Sequence, residues 1–252
     1  MKIYQKNKTE SFSRYEFKYL LPHKKANMIE NEIKNFMILD QNAEKNKNKN
    51  YFVRSLYFDN EIFTNFYEKV DGMEIRKKFR IRVYSKDKNS KSPIFLEMKG
   101  RRNQRTYKLR TKIDKKHIHY LINNENLNYL SEIYTNQNNV INHFIHDSLK
   151  KKIKPKVLVD YERKAYFNKF GLLFRLTFDN NILASPASDL FDTKKLNFKE
   201  TRAGYTVLEL KFERSIQPWF HRIIQNYNLS RISISKFAIG MEKSGFGYET
   251  SE

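Results

Sequence analysis

Four stretches of the chain alternate between aromatic or aliphatic residues and charged ones, and a side-chain period of two belongs to a β-strand. In 13–21, Tyr15, Phe17, Tyr19 and Leu21 oppose Arg14, Glu16 and Lys18. In 77–84, Phe79, Ile81 and Val83 oppose Lys78, Arg80 and Arg82. Ile94, Leu96 and Met98 oppose Glu97 and Lys99, and Leu208, Leu210 and Phe212 oppose Glu209, Lys211 and Glu213. A fifth stretch, 105–112, places Thr106, Lys108, Arg110 and Lys112 on one face. Further strands are expected at 51–58, 156–163 and 172–178, which makes about eight.

Helical spacing occurs between and after them. Pro22 suits a first helical position, followed by Ala26, Ile29, Ile33, Phe36 and Met37 at intervals of three and four. A second stripe runs through Ile62, Phe63, Phe66, Tyr67 and Val70; two or three helices are expected within 121–149 and another at 217–227. Amphipathic helices need an apolar surface, so they should cover the Tyr/Phe/Leu face of the strands. The charged face has two outcomes. In an open sheet it meets water; in a barrel closed by antiparallel strands it lines the interior.

Composition narrows the partners. The chain carries 49 Lys and Arg against 28 Asp and Glu, a formal charge of +21, which favours an anionic partner: nucleic acid, anionic membrane or polyphosphate. Lys, Asn and Ile are all abundant, as compositional drift would produce, so the placement of the charges carries more than their sum. With no Cys, thiolate metal sites, disulfides and Cys nucleophiles are excluded. Seven Gly and no glycine-rich motif exclude a P-loop. The N-terminus has no apolar signal core and no segment approaches the ~18 apolar residues of a membrane span, so a cytoplasmic location is expected. Asn42–Asn50 reads as a loop and no repeat is found; one domain over 1–252 is expected, with its core at about 13–240 and loose ends at 1–12 and 245–252. The His pairs 117/119 and 143/146 read as surface residues, not metal ligands.

Like charges crowded on an inner wall are costly without partners, and an anionic ligand is one such partner. Lys78, Arg80 and Arg82 would lie roughly 6.5–7 Å apart along a strand face, a spacing that suits successive phosphates. Glu16, Glu97 and Glu209 on the same faces are hard-oxygen candidates for Mg²⁺ or Mn²⁺. Their alternative use is pairing with neighbouring Lys and Arg.

The segments RYEFKYLL (Arg14–Leu21), VRSLYFDN (Val53–Asn60), KFRIRVY (Lys78–Tyr84), IFLEMKGR (Ile94–Arg101), TYKLRT (Thr106–Thr111), YERKAY (Tyr161–Tyr166), FRLTFD (Phe174–Asp179), VLELKFE (Val207–Glu213) and SISKF (Ser233–Phe237) occur in this order. In that order the chain resembles the VTC domain, the polyphosphate polymerase domain of the vacuolar transporter chaperone, within the triphosphate tunnel metalloenzyme or CYTH-like superfamily. The resemblance implies an α+β fold: a closed antiparallel eight-stranded tunnel barrel with helices packed outside. It also implies transfer of the terminal phosphoryl group of ATP to a polyphosphate chain, with Mn²⁺ or Mg²⁺ as cofactor and ADP as product. Carried over by motif, Arg80, Arg82, Lys108 and Lys236 are the catalytic candidates. Lys18, Lys99, Arg163, Arg175, Lys211 and Tyr161 are the substrate-binding ones, and Glu209 is the metal ligand, joined by Glu16 and Glu97. Two positions depart from the family pattern: Arg14 stands where the wider superfamily has a second metal carboxylate, and Ser233 where eukaryotic polymerases have a further Lys. A membrane-protein partner is expected only if product is translocated.

Two other functions compete. A triphosphatase in the same tunnel would use a carboxylate such as Glu16 or Glu97 to activate water. A non-catalytic module would bind polyphosphate or nucleic acid. Nucleic acid is disfavoured because aromatics and cations lie on opposite strand faces, whereas a stacking groove needs them together.

Overall fold

The computed structural model describes residues 15–247 except 104, 136–137 and 170–173, so Arg14 and the start of the strand expected at 172–178 lie outside the described residues. The eight expected strands are β1 (Tyr15–Pro22), β3 (Tyr51–Asp59), β4 (Ile75–Val83), β5 (Ile94–Arg102), β6 (Arg105–Ile113), β7 (Lys154–Asn168), β8 (Phe174–Pro186) and β10 (Tyr205–Phe212). Two short ones join them, β2 (Met37–Leu39) and β9 (Lys199–Glu200). Every pairing is antiparallel, in the order β1-β10-β8-β7-β3-β4-β5-β6, with β2 on β7 and β9 on β8.

The closed eight-stranded barrel is therefore corrected to a curved ten-stranded sheet whose ends do not pair: no ladder joins β1 to β6 among the described residues. Side chains bridge part of this gap. Lys99 of β5 donates to both oxygens of Glu16 of β1 at 2.9 and 3.0 Å. The segment at 229–235 also lies along β1, with Ile232 N–H bonded to the Lys18 carbonyl and Lys18 Nζ to the Ile234 carbonyl, both at 2.9 Å. The Ile232 bond takes up the Lys18 carbonyl, a backbone group of β1 that a closing strand would use.

The helices are α1 (His23–Ile33), α2 (Gln41–Glu44), α3 (Thr64–Val70), α4 (Ile118–Asn123), α5 (Leu127–Ile133), α6 (Asn138–Lys150), α7 (Pro218–Asn226) and α8 (Lys236–Lys243). Pro22 ends β1, one residue before α1. As expected, α4–α6 cover the apolar face of β3–β5, where Leu56, Phe79, Ile81 and Leu96 meet Leu121, Leu130 and Phe144. Helices α1 and α7 cover β1, β10 and β8 through Ile29, Ile33, Phe220 and Ile223 against Leu176, Leu208 and Leu210.

Helices α3 and α8 depart from the outside-only arrangement. They lie on the concave side, where Phe66, Phe237, Ala238 and Met241 pack against Val157, Val159 and Ala184. The central strands β7 and β8 carry small apolar residues on their inward face, and these accept a helix. Gly240 permits the close approach: a Cβ there would lie 2.9 Å from Val159 Cγ2 and 3.3 Å from Val157 Cγ2. β-Branched valines have little rotamer freedom with which to yield. Gly240→Val should lower the free energy of unfolding in urea by about 2 kcal/mol, the range for overpacking a close-packed core.

Candidate functional site

The half of the concave face that α8 leaves open encloses a cavity of about 160 Å³. Strand parity builds its wall. From β4 come Lys78, Arg80 and Arg82; from β6, Thr106, Lys108 and Arg110; from β1, Glu16 and Lys18; from β10, Glu209 and Lys211. Registers place these residues side by side: Lys78 pairs with Lys99, Lys99 with Lys108, Lys18 with Glu209, and Lys211 with Arg175. Twelve of the thirteen site residues expected from sequence line the cavity; Glu97 does not. Arg163 and Arg175, which had no clean charged face in the sequence, also line it.

Glu97 sits behind the wall with its side chain fully buried. Arg80 Nε and Nη2 reach its Oε2 at 2.7 and 2.6 Å, Arg82 Nε approaches to 3.9 Å, and Lys108 Nζ contacts Oε1. Burial opposes its charge, but these three cations hold its carboxyl well below the usual range. Glu97 anchors cations, and its enclosure leaves it no access to a metal in the cavity.

A second anchor is Asp179, which the sequence reading missed. It is fully buried, accepts from Arg163 Nε and Nη2 at 2.6 and 2.7 Å, and pairs with Lys236 Nζ at 2.5 Å. Its signal was present, since Asp179 shares the parity of Arg175 and Thr177 on β8. Lys236 opens α8, behind the N-cap Ser235. Burial disfavours its charge, yet Asp179 and Glu209 hold the ammonium above its ordinary range.

Tyrosines brace the arginine side. Arg80 Nη1 donates to Tyr57 Oη at 3.0 Å, Arg82 Nη2 to Tyr161 Oη at 2.9 Å, and Arg82 Nε and Nη2 both to Ser55 Oγ at 3.1 Å. These bonds fix the guanidinium planes.

Glu16 and Glu209 face the cavity. Glu209 takes Lys236 at 2.9 Å, Lys211 at 2.7 Å and Arg163 at 3.4 Å; Glu16 takes Lys99 at 2.9 Å and Lys18 at 3.2 Å. Burial works against both charges, and the surrounding ammonium groups hold both carboxyls well below the usual range. Among the described residues no three His, Asp or Glu side chains cluster to hold a metal. That donor set still fits Mg²⁺ or Mn²⁺, because a hard octahedral cation commonly takes one or two carboxylates and completes its shell with substrate phosphates and water. Glu209 and Glu16 would be those carboxylates.

The cations outnumber their carboxylates, and burial shows in their proton affinity. Lys108 is pushed down to about 7 by burial and the nearby Arg80 and Arg82, against the pull of Glu97. Lys211 is likewise pushed down to about 7 by burial, against Glu209 and Glu16. Lys78 falls well below its ordinary value through burial and four neighbouring cations.

Of the histidines, His117 is corrected from surface to core: it is buried and its Nδ1 lies 2.9 Å from Tyr134 Oη. His119, His143 and His146 are exposed.

A family model described as the VTC domain matches residues 13–244. No curated protein matches the sequence. Among solved structures, a protein from Hippeastrum described as an adenylyl cyclase with a dominant triphosphatase activity is 13% identical, with a TM-score of 0.52 over 92% of this chain and 96% of that one. The PH1819 protein from Pyrococcus horikoshii is 12% identical, TM-score 0.46, over 91% and 99%. A protein from Bacillus halodurans described as an adenylate cyclase is 11% identical, TM-score 0.45, over 88% and 94%. At these identities the Hippeastrum likeness concerns the fold alone.

Two outcomes follow from the electrostatics. Glu97→Gln should lower stability by about 3–5 kcal/mol, because Arg80 and Lys108 lose a buried counter-charge; added triphosphate should restore part of the lost melting temperature. Second, Lys108 and Lys211, pushed down to about 7, should lose charge as pH rises past that value, so binding of an anion that needs them charged should be coupled to proton uptake from solvent. Triphosphate affinity, measured without metal, should therefore fall as pH rises from 7 to 9. Calorimetry in buffers of different ionisation heat should register proton uptake.

Proposed function

The chain belongs to the VTC domain family, and from this cavity we propose that it transfers the terminal phosphoryl group of ATP to the end of a polyphosphate chain. The observation that carries this reading over hydrolysis is the state of the cavity carboxylates. Glu16 and Glu209 each accept two or more cationic donors and are held well below their usual range, and Glu97 is enclosed. Carboxylates held in this way would be weak bases for water, since a general base works best with a proton affinity near the working pH. A terminal phosphate oxygen that is already ionised needs no base.

In this reading the acceptor oxygen bonds to the γ-phosphorus as the bond to the β,γ-bridging oxygen breaks, and ADP leaves with that oxygen. Arg80 and Arg82, locked by Glu97, Tyr57, Ser55 and Tyr161, would bind phosphate oxygens at fixed positions. Lys18, Lys99, Lys236 and, once protonated, Lys108 and Lys211 would offset charge on the transferring group. Arg163 and Arg175 would hold oxygens on the opposite wall, and Tyr161 would orient Arg82. Mg²⁺ or Mn²⁺, when held by Glu209 and Glu16, would supply Lewis-acid neutralisation of phosphate charge.

Incubation with ATP and Mn²⁺, with a short polyphosphate primer, should yield ADP and acid-precipitable polymer. Release of orthophosphate without polymer would replace this reading with a triphosphatase. Glu209→Gln should abolish turnover while triphosphate binding measured without metal remains; unchanged metal-dependent turnover would remove Glu209 from the proposed metal set.

A further inference from the structure

On β3 the alternation of side chains sends Leu56 and Phe58 into the core beneath α4–α6 and Ser55 and Tyr57 to the concave side. Tyr57 lines the central cavity and stands in register with Arg80 of β4. Its ring is firmly seated. The residue is only 3% exposed, its ring centre lies 5.3 Å from that of Phe237, and Arg80 Cζ lies 5.7 Å from it on the other strand.

A phenol has one proton to donate and two lone pairs with which to accept. Arg80 Nη1 donates to the Tyr57 oxygen at 3.0 Å, and among the described residues no oxygen accepts the Tyr57 proton. The charged groups that act on the phenol are Arg80, Arg82 and Lys236, and guanidinium and ammonium groups only donate. Tyr166, packed beneath α1, shows the satisfied arrangement: its Oη donates to Glu30 Oε1 at 2.7 Å. A buried donor left unmet at the wall of a cavity calls for an acceptor inside it. Burial works to raise the pKa of Tyr57, but Arg80, Arg82 and Lys236 hold it below its ordinary value, which strengthens the phenol as a donor.

We propose that Tyr57 is a further phosphate-binding residue of the central cavity, its O–H donating to a non-bridging oxygen of the phosphate that Arg80 holds. The hydroxyl then completes both its roles, accepting from Arg80 and donating to the ligand. A neutral donor fixes where an oxygen sits without adding another cation to a wall already short of carboxylates. Period-two charge could not reveal this residue, because its neighbours on the same face of β3, Val53 and Ser55, are uncharged. The inference rests on phosphate as the ligand of this cavity and adds a contact to that reading.

Triphosphate affinity is measured by calorimetry without metal, over a series of salt concentrations, for the wild type, Tyr57→Phe, Arg80→Ala and the double variant. Tyr57→Phe keeps the ring and removes only the hydroxyl, and should lose about tenfold in affinity. Since a neutral donor cancels no ligand charge, that factor should be the same at every salt concentration. In the Arg80→Ala background the same substitution should still cost about threefold or more, because the phenol touches phosphate itself. A hydroxyl that merely braces Arg80 gives a different result: its loss flattens the salt dependence and adds nothing once Arg80 is gone. Either of those outcomes, or unchanged affinity in Tyr57→Phe, would overturn the assignment while leaving the phosphate reading intact. Should the melting curve of Arg80→Ala show that it does not fold, the salt dependence of Tyr57→Phe decides alone. Failure of the wild type to bind triphosphate would overturn both.

Discussion

Charge compensation from behind the wall is the constraint on which the rest of this structure depends. A concave surface that presents Lys18, Lys78, Arg80, Arg82, Lys99, Lys108, Lys211 and Lys236 within one cavity cannot be assembled from cations alone. Glu97 and Asp179, both fully buried, are the outer layer of the solution. Each binds an arginine through two nitrogens and a lysine as well, so that a single carboxylate orders a whole sector. Glu16 and Glu209 form an inner layer within the cavity, where incoming phosphates would compete for their cationic partners and a metal would compete with those cations for the carboxylates. The two layers divide the work. The outer one maintains the fold and orients the guanidinium groups; the inner one can exchange its contacts.

That division explains why the compensation is incomplete. If every ammonium had a fixed carboxylate, an anion would have to displace the carboxylate before it could bind, and the gain in binding would be small. Lys78 has none among the described residues, while Lys108 and Lys211 lie near 7. In the proposed reading these groups would gain charge on binding phosphate, and part of the protein's electrostatic strain would be relieved by the ligand. Binding of this kind stabilises the folded chain in proportion to ligand activity.

Much of this was legible in the sequence because segregation of faces is a local property. Phe79, Ile81 and Val83 against Lys78, Arg80 and Arg82 determine which side of β4 is apolar, whatever β4 pairs with. Closure is not local: it depends on whether β1 and β6, at opposite ends of the sheet, find each other, and here an ion pair and the 229–235 segment intervene. The two short strands were hidden for a different reason. Met37 continues the spacing of Ile29 and Ile33, so it read as helix, although the chain leaves the helix after Ile33 and Met37 pairs with Asn168. Nor could parity separate Glu97 from Glu16 and Glu209. All three share the charged side of their strands, and only the packing of Arg80 and Lys108 over Glu97 withdraws it from the cavity.

Helix α8 shows how a feature with no period-two signal governs the site. Its apolar face fills part of the concave surface, which leaves the cavity to the remainder, and its first residue delivers Lys236 to both Asp179 and Glu209. Gly240 lies four residues on, roughly 6 Å along the axis at helical rise, against Val157 and Val159. The depth to which α8 settles is thus set by an apolar contact, whereas the position of the Lys236 ammonium is set by an ionic one. The two must agree to within a few tenths of an ångström for both to be satisfied. A lysine on a flexible loop could reach the same carboxylates, but it would lose more conformational freedom on doing so. Mounting it on a helix seated in the core transfers that ordering cost to folding, before any phosphate binds.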